Sequence, residues 1–214
     1  MTFLIVLAGW IFSLCLHEFA HALVAYRGGD YTVREKGYLT FNPIKYTHPV
    51  YSLLLPMLFL LMGGIGLPGG AVYIERWRLR GKNWETAVSL AGPAANALLA
   101  VVLGVALGTL PTSPSGIWPG LAFLALLQVT AVVLNLIPLP PFDGYGALEP
   151  HLPMDLRQRV AQQSGWLGLL VLVLLWWVPF IRDLFWGLVF AVSQAVGVPL
   201  ELAGVGLDQF LFWR

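Results

Sequence analysis

Long apolar stretches constrain this 214-residue chain more than any other feature. A helix needs roughly 20 mostly apolar residues to cross the hydrocarbon core of a membrane. Residues 2–26, 87–110 and 118–137 each meet that requirement. Only 11% of the residues are charged, against roughly a quarter in soluble domains. The sequence therefore predicts an all-α polytopic membrane protein with three transmembrane helices in its core.

Two further apolar stretches do not fit a single regular span. Residues 50–67 contain one proline and three glycines, which predicts a short and irregular segment. Residues 166–198 are too long for one helix and are interrupted by PFIRD at 179–183. We therefore expect one or two additional C-terminal helices. The tail at 199–214 is either an amphipathic helix at the membrane interface or a mobile terminus.

The distribution of basic residues predicts how residues 50–67 meet the membrane. Lys and Arg cluster in the loops 26–49 and 68–86, whereas the loop 111–117 contains neither. Cytoplasmic loops carry the excess of positive charge, so both basic loops are cytoplasmic if residues 50–67 enter the membrane and return. Such a re-entrant segment implies an internal cavity, because non-helical backbone at membrane depth must be covered by protein or trapped water.

Paired glycines followed by the β-prone residues 71–74 predict a short β-hairpin near the cytoplasmic face.

No polar linker or internal repeat divides the chain, so we expect one integrated unit. Residues 1–150 would form the functional core, and residues 151–214 would add C-terminal membrane helices and a tail. A net charge of +1 provides no basic stripe for nucleic acid, so no nucleic-acid partner is expected.

The sequence HEFAH at 17–21 places two histidines and a glutamate within the first apolar stretch. Positions 17 and 21 lie one turn apart on one helical face, so both imidazoles can bind the same metal ion. Glu18 lies beside them and can reach a water on that ion. This pattern is typical of two zinc ligands and a general base. The alternative is a helix end whose polar groups reach the interface, but ionisable groups are costly inside a membrane.

Catalytic zinc usually has three protein ligands and one open position, so a third ligand is needed. The candidates are the remaining histidines and the carboxylates predicted near the membrane: His48, His151, Asp143, Glu149, Asp183 and Glu201. We favour Asp143, because the prolines at 138–141 end the preceding span and can turn its carboxylate towards the first helix. The alternative for Asp143 is an ordinary turn residue. His48 lies either near the metal or in a loop at the interface.

With HEFAH at 17–21, AGPAAN at 91–96 and NLIPLPPFDG at 135–144, the sequence resembles the site-2 protease family of intramembrane zinc metalloproteases. The resemblance covers most of residues 8–150. It implies one Zn²⁺ per chain, and hydrolysis of peptide bonds in single-span membrane proteins. No segment is long enough for the PDZ domain or the nucleotide-binding regulatory domain of some relatives, so we expect a minimal form of the family.

The resemblance also implies a role for individual residues. The metal ligands would be His17, His21 and Asp143, and the catalytic residues would be Glu18, Asn135 and Asn96. Asn135 would donate a hydrogen bond to the developing oxyanion or hold the substrate backbone, with a helix cap as the alternative. Asn96 would lie near the catalytic centre, with a hydrogen bond between helices as the alternative.

The expected enzyme is a multi-pass protein of the plasma membrane, in contact with the lipid bilayer, whose active site opens toward the cytoplasm. Two other functions fit parts of the sequence. A membrane metal-binding or metal-transport protein could use the same ligands without cleaving peptides. A catalytically silent scaffold could bind single-span partners, although it would not need Glu18. The sequence predicts neither the oligomeric state nor the identity of the substrate.

Overall fold

The computed structural model describes residues 1–45 and 72–213. Within these ranges the chain is helical and contains no strand, which confirms the all-α prediction for the described residues. The α-helices are α1 (Thr2–Gly28), α2 (Thr32–Glu35), α3 (Lys82–Thr109), α4 (Trp118–Asn135), α5 (Asp143–Leu148), α6 (Met154–Trp177), α7 (Pro179–Ala195) and α8 (Leu200–Phe210). Short 3₁₀ turns occupy Pro43–Lys45, Arg76–Arg78 and Glu149–His151.

Four of these helices are long and apolar enough to cross a membrane, namely α1, α3, α4 and α6. The first three match the predicted core spans. The bent pair formed by α7 and α8, with 117° between its axes, raises the number of candidate spans in the described residues to as many as five. Two helices, α6 and α7, cover most of the apolar stretch 166–198, as predicted for it, and the tail forms α8. Helix α6 begins in the polar residues 154–165, ahead of its apolar run.

The predicted β-hairpin at 71–74 is not supported. The backbone N–H of Val72 donates to Glu18 Oε2 at 3.1 Å, and the N–H of Glu75 donates to Asp30 Oδ2 at 2.7 Å. Carboxylates on α1 and just after it therefore take backbone donors that a hairpin would pair with a neighbouring strand. The beginning of the predicted hairpin and the predicted re-entrant segment 50–67 lie outside the described residues.

The core between α1 and α4 is apolar and also receives the C-terminal helix. It contains Val6, Trp10, Leu14, Phe123, Leu124, Leu127, Phe210 and Leu211. The tail, for which an interfacial helix and a mobile terminus were the alternatives, thus forms α8 and buries Phe210 completely. Gly206 permits this approach, because a β-carbon there would overlap the backbone oxygen of Pro119. Helix α8 therefore packs against protein on this face.

Candidate metal centre

Helix α1 carries His17, Glu18 and His21 into the interior of the helix bundle, where all three are buried. They lie beside α3, whose Gly92 has no side chain to fill the space next to them. A β-carbon at Gly92 would lie 2.5 Å from His17 Nε2 and closer still to His21 Nε2. Glycine at this position therefore keeps a space open in front of both ring nitrogens.

Asp143 reaches the same space from the start of α5. Helix α4 ends at Asn135, and the proline-rich turn that follows brings the chain back to begin α5. At Gly144 a β-carbon would lie 2.5 Å from the carbonyl carbon of Leu136, so only glycine permits so tight a turn. As a result, Asp143 Oδ2 lies 3.2 Å from His17 Nε2 and 3.5 Å from His21 Nε2.

The two rings are oriented so that their Nε2 atoms carry lone pairs. His21 Nδ1 donates to the backbone oxygen of Val88 at 2.6 Å, and His17 Nδ1 donates to Asn96 Oδ1 at 2.8 Å. With hydrogen on each Nδ1, both Nε2 atoms are free to bind a metal. This arrangement, in which a partner on the far nitrogen fixes the ring, is general for metal-binding histidines.

These three atoms fit a zinc ion. The two Nε2 atoms are 3.0 Å apart, so all three separations lie between 3.0 and 3.5 Å. Ligands at about 2.0–2.1 Å in a tetrahedral zinc site are separated by roughly 3.3–3.4 Å. In addition, Asp143 Oδ2 is buried without a hydrogen-bond partner, which is costly unless a cation is bound. His17, His21 and Asp143 together could therefore hold a metal ion.

Glu18 and Asn135 share a cavity with the three ligands. The cavity has a volume of about 450 Å³. Residues from α1, the 72–76 segment, α3, α4 and the 141–143 turn line it, including Tyr73, Arg76 and Ser89. Glu18 lies beside the histidines as the H-E-x-x-H pattern predicts, and the last residue of α4, Asn135, faces the same space. A metal-dependent hydrolytic site needs such an arrangement, in which a carboxylate and a polar donor lie next to the metal-binding position.

Similar proteins were found by sequence over nearly the whole chain. "Putative zinc metalloprotease Rip2" of Mycolicibacterium smegmatis is 48% identical over 217 residues, which cover 99% of this chain and 81% of the relative. The protein of the same name from Mycobacterium tuberculosis H37Rv is 47% identical over 213 residues, with the same coverage. "Putative zinc metalloprotease YwhC" of Bacillus subtilis is 32% identical, covering 87% of this chain and 86% of the relative.

The chain belongs to the site-2 protease family. The names of its relatives support a zinc metalloprotease role and imply Zn²⁺ as the cofactor. Together with the long apolar helices, they identify a multi-pass membrane protein. No family model matches the sequence, and no solved structure matches the chain.

Asn96, the other asparagine that the site-2 protease resemblance singled out, lies behind the metal centre. It is buried, contacts His17 through its oxygen, and its Nδ2 donates to Gln128 Oε1 on α4 at 3.1 Å. It is not among the cavity-lining residues in the described part of the chain. This geometry favours the hydrogen bond between helices over direct contact with a substrate.

The other candidate ligands lie elsewhere in this site-2 protease. His151 Nε2 is 3.0 Å from Thr86 Oγ1, Glu149 pairs with Arg76 at 3.0 Å, and Glu201 is exposed. Asp183 pairs with Arg182 at 3.0 Å. His48 lies outside the described residues, so its role stays a prediction.

Sequence reasoning did not identify Asp30, which is fully buried just after α1. Its carboxylate accepts hydrogen bonds from Thr32 N at 3.1 Å, from Thr32 Oγ1 at 2.6 Å and from Glu75 N at 2.7 Å. The Glu75 carboxylate in turn binds Arg78 and Lys36, and these hydrogen bonds hold the pKa of Glu75 below its usual value. Asp30 therefore fastens the 72–75 segment, which contacts Glu18, to the end of α1.

Gly92 and Gln128 were also missed as functional residues. Gly92 lies within the AGPAAN motif, where its neighbour Asn96 drew attention instead. Gln128 did carry a signal, because it is an uncharged polar side chain inside an otherwise apolar span and such residues are usually hydrogen-bonded between helices.

Proposed function

We propose that this chain is an intramembrane zinc metalloendopeptidase that hydrolyses peptide bonds in the transmembrane helices of single-span membrane proteins. One observation carries the proposal. His17 Nε2, His21 Nε2 and Asp143 Oδ2 converge within 3.5 Å of one another, and Glu18 lies beside them on the same candidate membrane span. A metal site on a candidate membrane span, with a carboxylate beside it, suits hydrolysis within the membrane.

Bound Zn²⁺ would lower the pKa of a water to about 7 and polarise the peptide carbonyl. Glu18 would accept a proton from the attacking water and deliver it to the amide nitrogen as the C–N bond breaks. The hydroxyl would bond to the carbonyl carbon before the C–N bond breaks, so that the products are a carboxylic acid and an amine. The amide of Asn135 would donate a hydrogen bond to the oxygen on which negative charge develops. Asn96 would act through His17 and would not contact the substrate.

We place the enzyme in the plasma membrane with its cavity open to the cytoplasm. Nine residues separate His17 from Tyr26, which is ~13 Å along a helix, so the metal would lie nearer the end of α1 that leads into the basic loop 26–49. Tyr73 and Arg76 line the cavity and belong to the second basic loop, 68–86. Lys36 in the first loop pairs with Glu75 in the second at 3.0 Å, which supports one side for both loops, and the positive-inside rule makes that side the cytoplasmic one.

The replacement Glu18→Gln tests this function. We expect the purified variant to retain zinc and to lose cleavage of a model transmembrane substrate by about 10²–10⁴-fold, because the general base is gone. Asp183→Asn is a matched control, since it removes the charge of an exposed carboxylate on α7 that pairs only with the neighbouring Arg182 in the described structure. It should cleave like the wild type. Full cleavage by Glu18→Gln would contradict the proposal.

The same measurements separate the two rival functions. A metal transporter would move zinc across proteoliposome membranes and would cleave no substrate, with or without Glu18. A silent scaffold would bind single-span proteins without cleaving them, and Glu18→Gln would leave that binding unchanged. A wild-type protein that binds zinc and shows no cleavage of any tested transmembrane substrate would favour these rivals.

A further inference from the structure

A chain of buried side-chain amides extends from the metal centre into α4. Asn96 Nδ2 donates to Gln128 Oε1 at 3.1 Å, and Asn96 Oδ1 accepts from His17 Nδ1 at 2.8 Å. The exposed fractions of His17, Asn96 and Gln128 are 7%, 6% and 1%. Since these residues come from α1, α3 and α4, the chain of hydrogen bonds links all three core spans to one metal-binding ring.

The direction of these bonds decides which nitrogen of His17 is available. An amide nitrogen only donates and an amide oxygen only accepts. With its nitrogen turned to Gln128 Oε1, Asn96 presents its oxygen to His17, so Nδ1 carries the hydrogen and Nε2 keeps its lone pair. If Asn96 turned over, its nitrogen would donate to His17 Nδ1, the ring hydrogen would move to Nε2, and that atom could no longer bind a metal.

The two histidines differ in how firmly this choice is fixed. His21 Nδ1 donates to the backbone oxygen of Val88, and a backbone carbonyl within a helix cannot turn over. The partner of His17 Nδ1 is the side-chain amide of Asn96, which can turn over. We infer that Gln128 is a positioning residue of the metal centre, which holds Asn96 in the orientation that leaves His17 Nε2 free for zinc. This inference rests on the proposed zinc site and assigns a role to a residue outside the three family motifs.

Zinc affinity of the detergent-purified full chain tests the inference, measured by competition with a chelator of known affinity. Gln128→Met keeps the length and removes the amide, and we expect a loss of about 3–10-fold, somewhat less than the 10–100-fold typical of a direct outer-shell partner. Gln128→Glu keeps an oxygen acceptor and should restore most of the affinity. Thr130→Val is the matched control, since Thr130 is also buried on α4 and bonds only the Leu126 oxygen of its own helix among the described residues.

The effect should also depend on Asn96. In an Asn96→Ala background, Gln128→Met should cause no further loss, because Gln128 acts through Asn96. An equal loss in both backgrounds would indicate a general packing role and would overturn the inference. Wild-type affinity in Gln128→Met, or the same loss in Thr130→Val, would overturn it as well.

Nitrogen NMR of labelled histidine in the metal-free protein provides a readout that needs neither zinc nor cleavage. We expect His17 to carry its hydrogen on Nδ1 in the wild type, and to populate the Nε2–H form in Gln128→Met. An unchanged His17 ring in Gln128→Met would refute the inference even if the protease proposal holds. Conversely, a wild type that binds no zinc or cleaves nothing would refute the proposed function while the ring signal still reports on Gln128.

Discussion

The metal centre and helix α6 place side chains in this molecule in opposite ways. Around the centre, α1, α3 and α4 bury polar groups, and His17 and His21 each have a specific partner for the nitrogen that faces away from the metal site. Helix α6 buries a single residue, Val171, within the described structure. Several of its large apolar side chains point outward, with Trp166 and Trp177 exposed by 76% and 68%.

This difference indicates where the sequence tolerates change. At the centre, buried polar groups are stable only with correctly placed partners, so a small change should have a large effect. On α6, an environment of lipid tails requires only apolar side chains, and helix contacts there depend on local packing. Substitutions in the two regions should therefore differ in size and in the property that they alter.

Loss of the third ligand should break the centre most severely. We expect Asp143→Ala to lower zinc affinity by more than about 100-fold, since even outer-shell partners are worth 10–100-fold, and to abolish cleavage. Zinc content after dialysis, measured by mass spectrometry, checks this. Asp208→Ala, which alters an exposed carboxylate on α8, should retain the metal. Stoichiometric tight zinc in Asp143→Ala would exclude Asp143 as a ligand.

The next largest loss of zinc affinity should come from a substitution that leaves all three ligand residues in place. The added methyl group of Gly92→Ala would lie in the space in front of both Nε2 atoms, so we expect about a 10–100-fold loss of zinc affinity, comparable to the loss of an outer-shell partner. Gly108→Ala is the matched control on the same helix, because its β-carbon would contact nothing within 4 Å. If both variants bind zinc like the wild type, the space beside Gly92 is not the metal position.

Much of this site could be predicted because its chemistry is local in sequence. The four-residue spacing of His17 and His21 fixes them on one face of any helix, and the prolines before Asp143 end α4 wherever it packs. The partners of these groups could not be predicted. Val88 contributes only a backbone oxygen, which any residue could supply, and the pairing of Asn96 with Gln128 depends on how two separate helices pack.

The β-hairpin prediction failed for a related reason. Residues 71–74 have the β-branched and aromatic composition of a strand, but that composition does not reveal which acceptors are nearby. Glu18 accepts from the backbone of Val72 and Asp30 from that of Glu75, and each acceptor lies more than 40 residues from its donor in sequence. The start of α6 was not predicted, because residues 154–165 form a polar stretch that no hydropathy argument assigns to a helix.

Loss of the hydrogen bonds that attach the 72–75 segment to Asp30 should have an effect of intermediate size. We expect Asp30→Ala to lower the free energy of unfolding by about 2–3 kcal/mol, because three donors lose a charged acceptor. Cleavage should fall more than zinc affinity, since the segment donates a hydrogen bond to Glu18 and supplies none of the candidate ligands. Denaturant unfolding and zinc titration of the same sample test both statements. A larger loss of zinc affinity than of cleavage would contradict this role.

The smallest effects should come from α6, where two substitutions sharpen the comparison. Val171 packs against Leu134 and Phe142, close to the turn that carries Asp143, so Val171→Ala should cost about 1 kcal/mol through lost packing. Trp166→Ala removes a far larger side chain, yet should change the unfolding free energy by less than about 0.5 kcal/mol, as is usual for exposed positions. Neither variant should alter zinc affinity. A greater cost for Trp166→Ala would mean that its face of α6 is packed against protein, so that exposure would not separate the two regions.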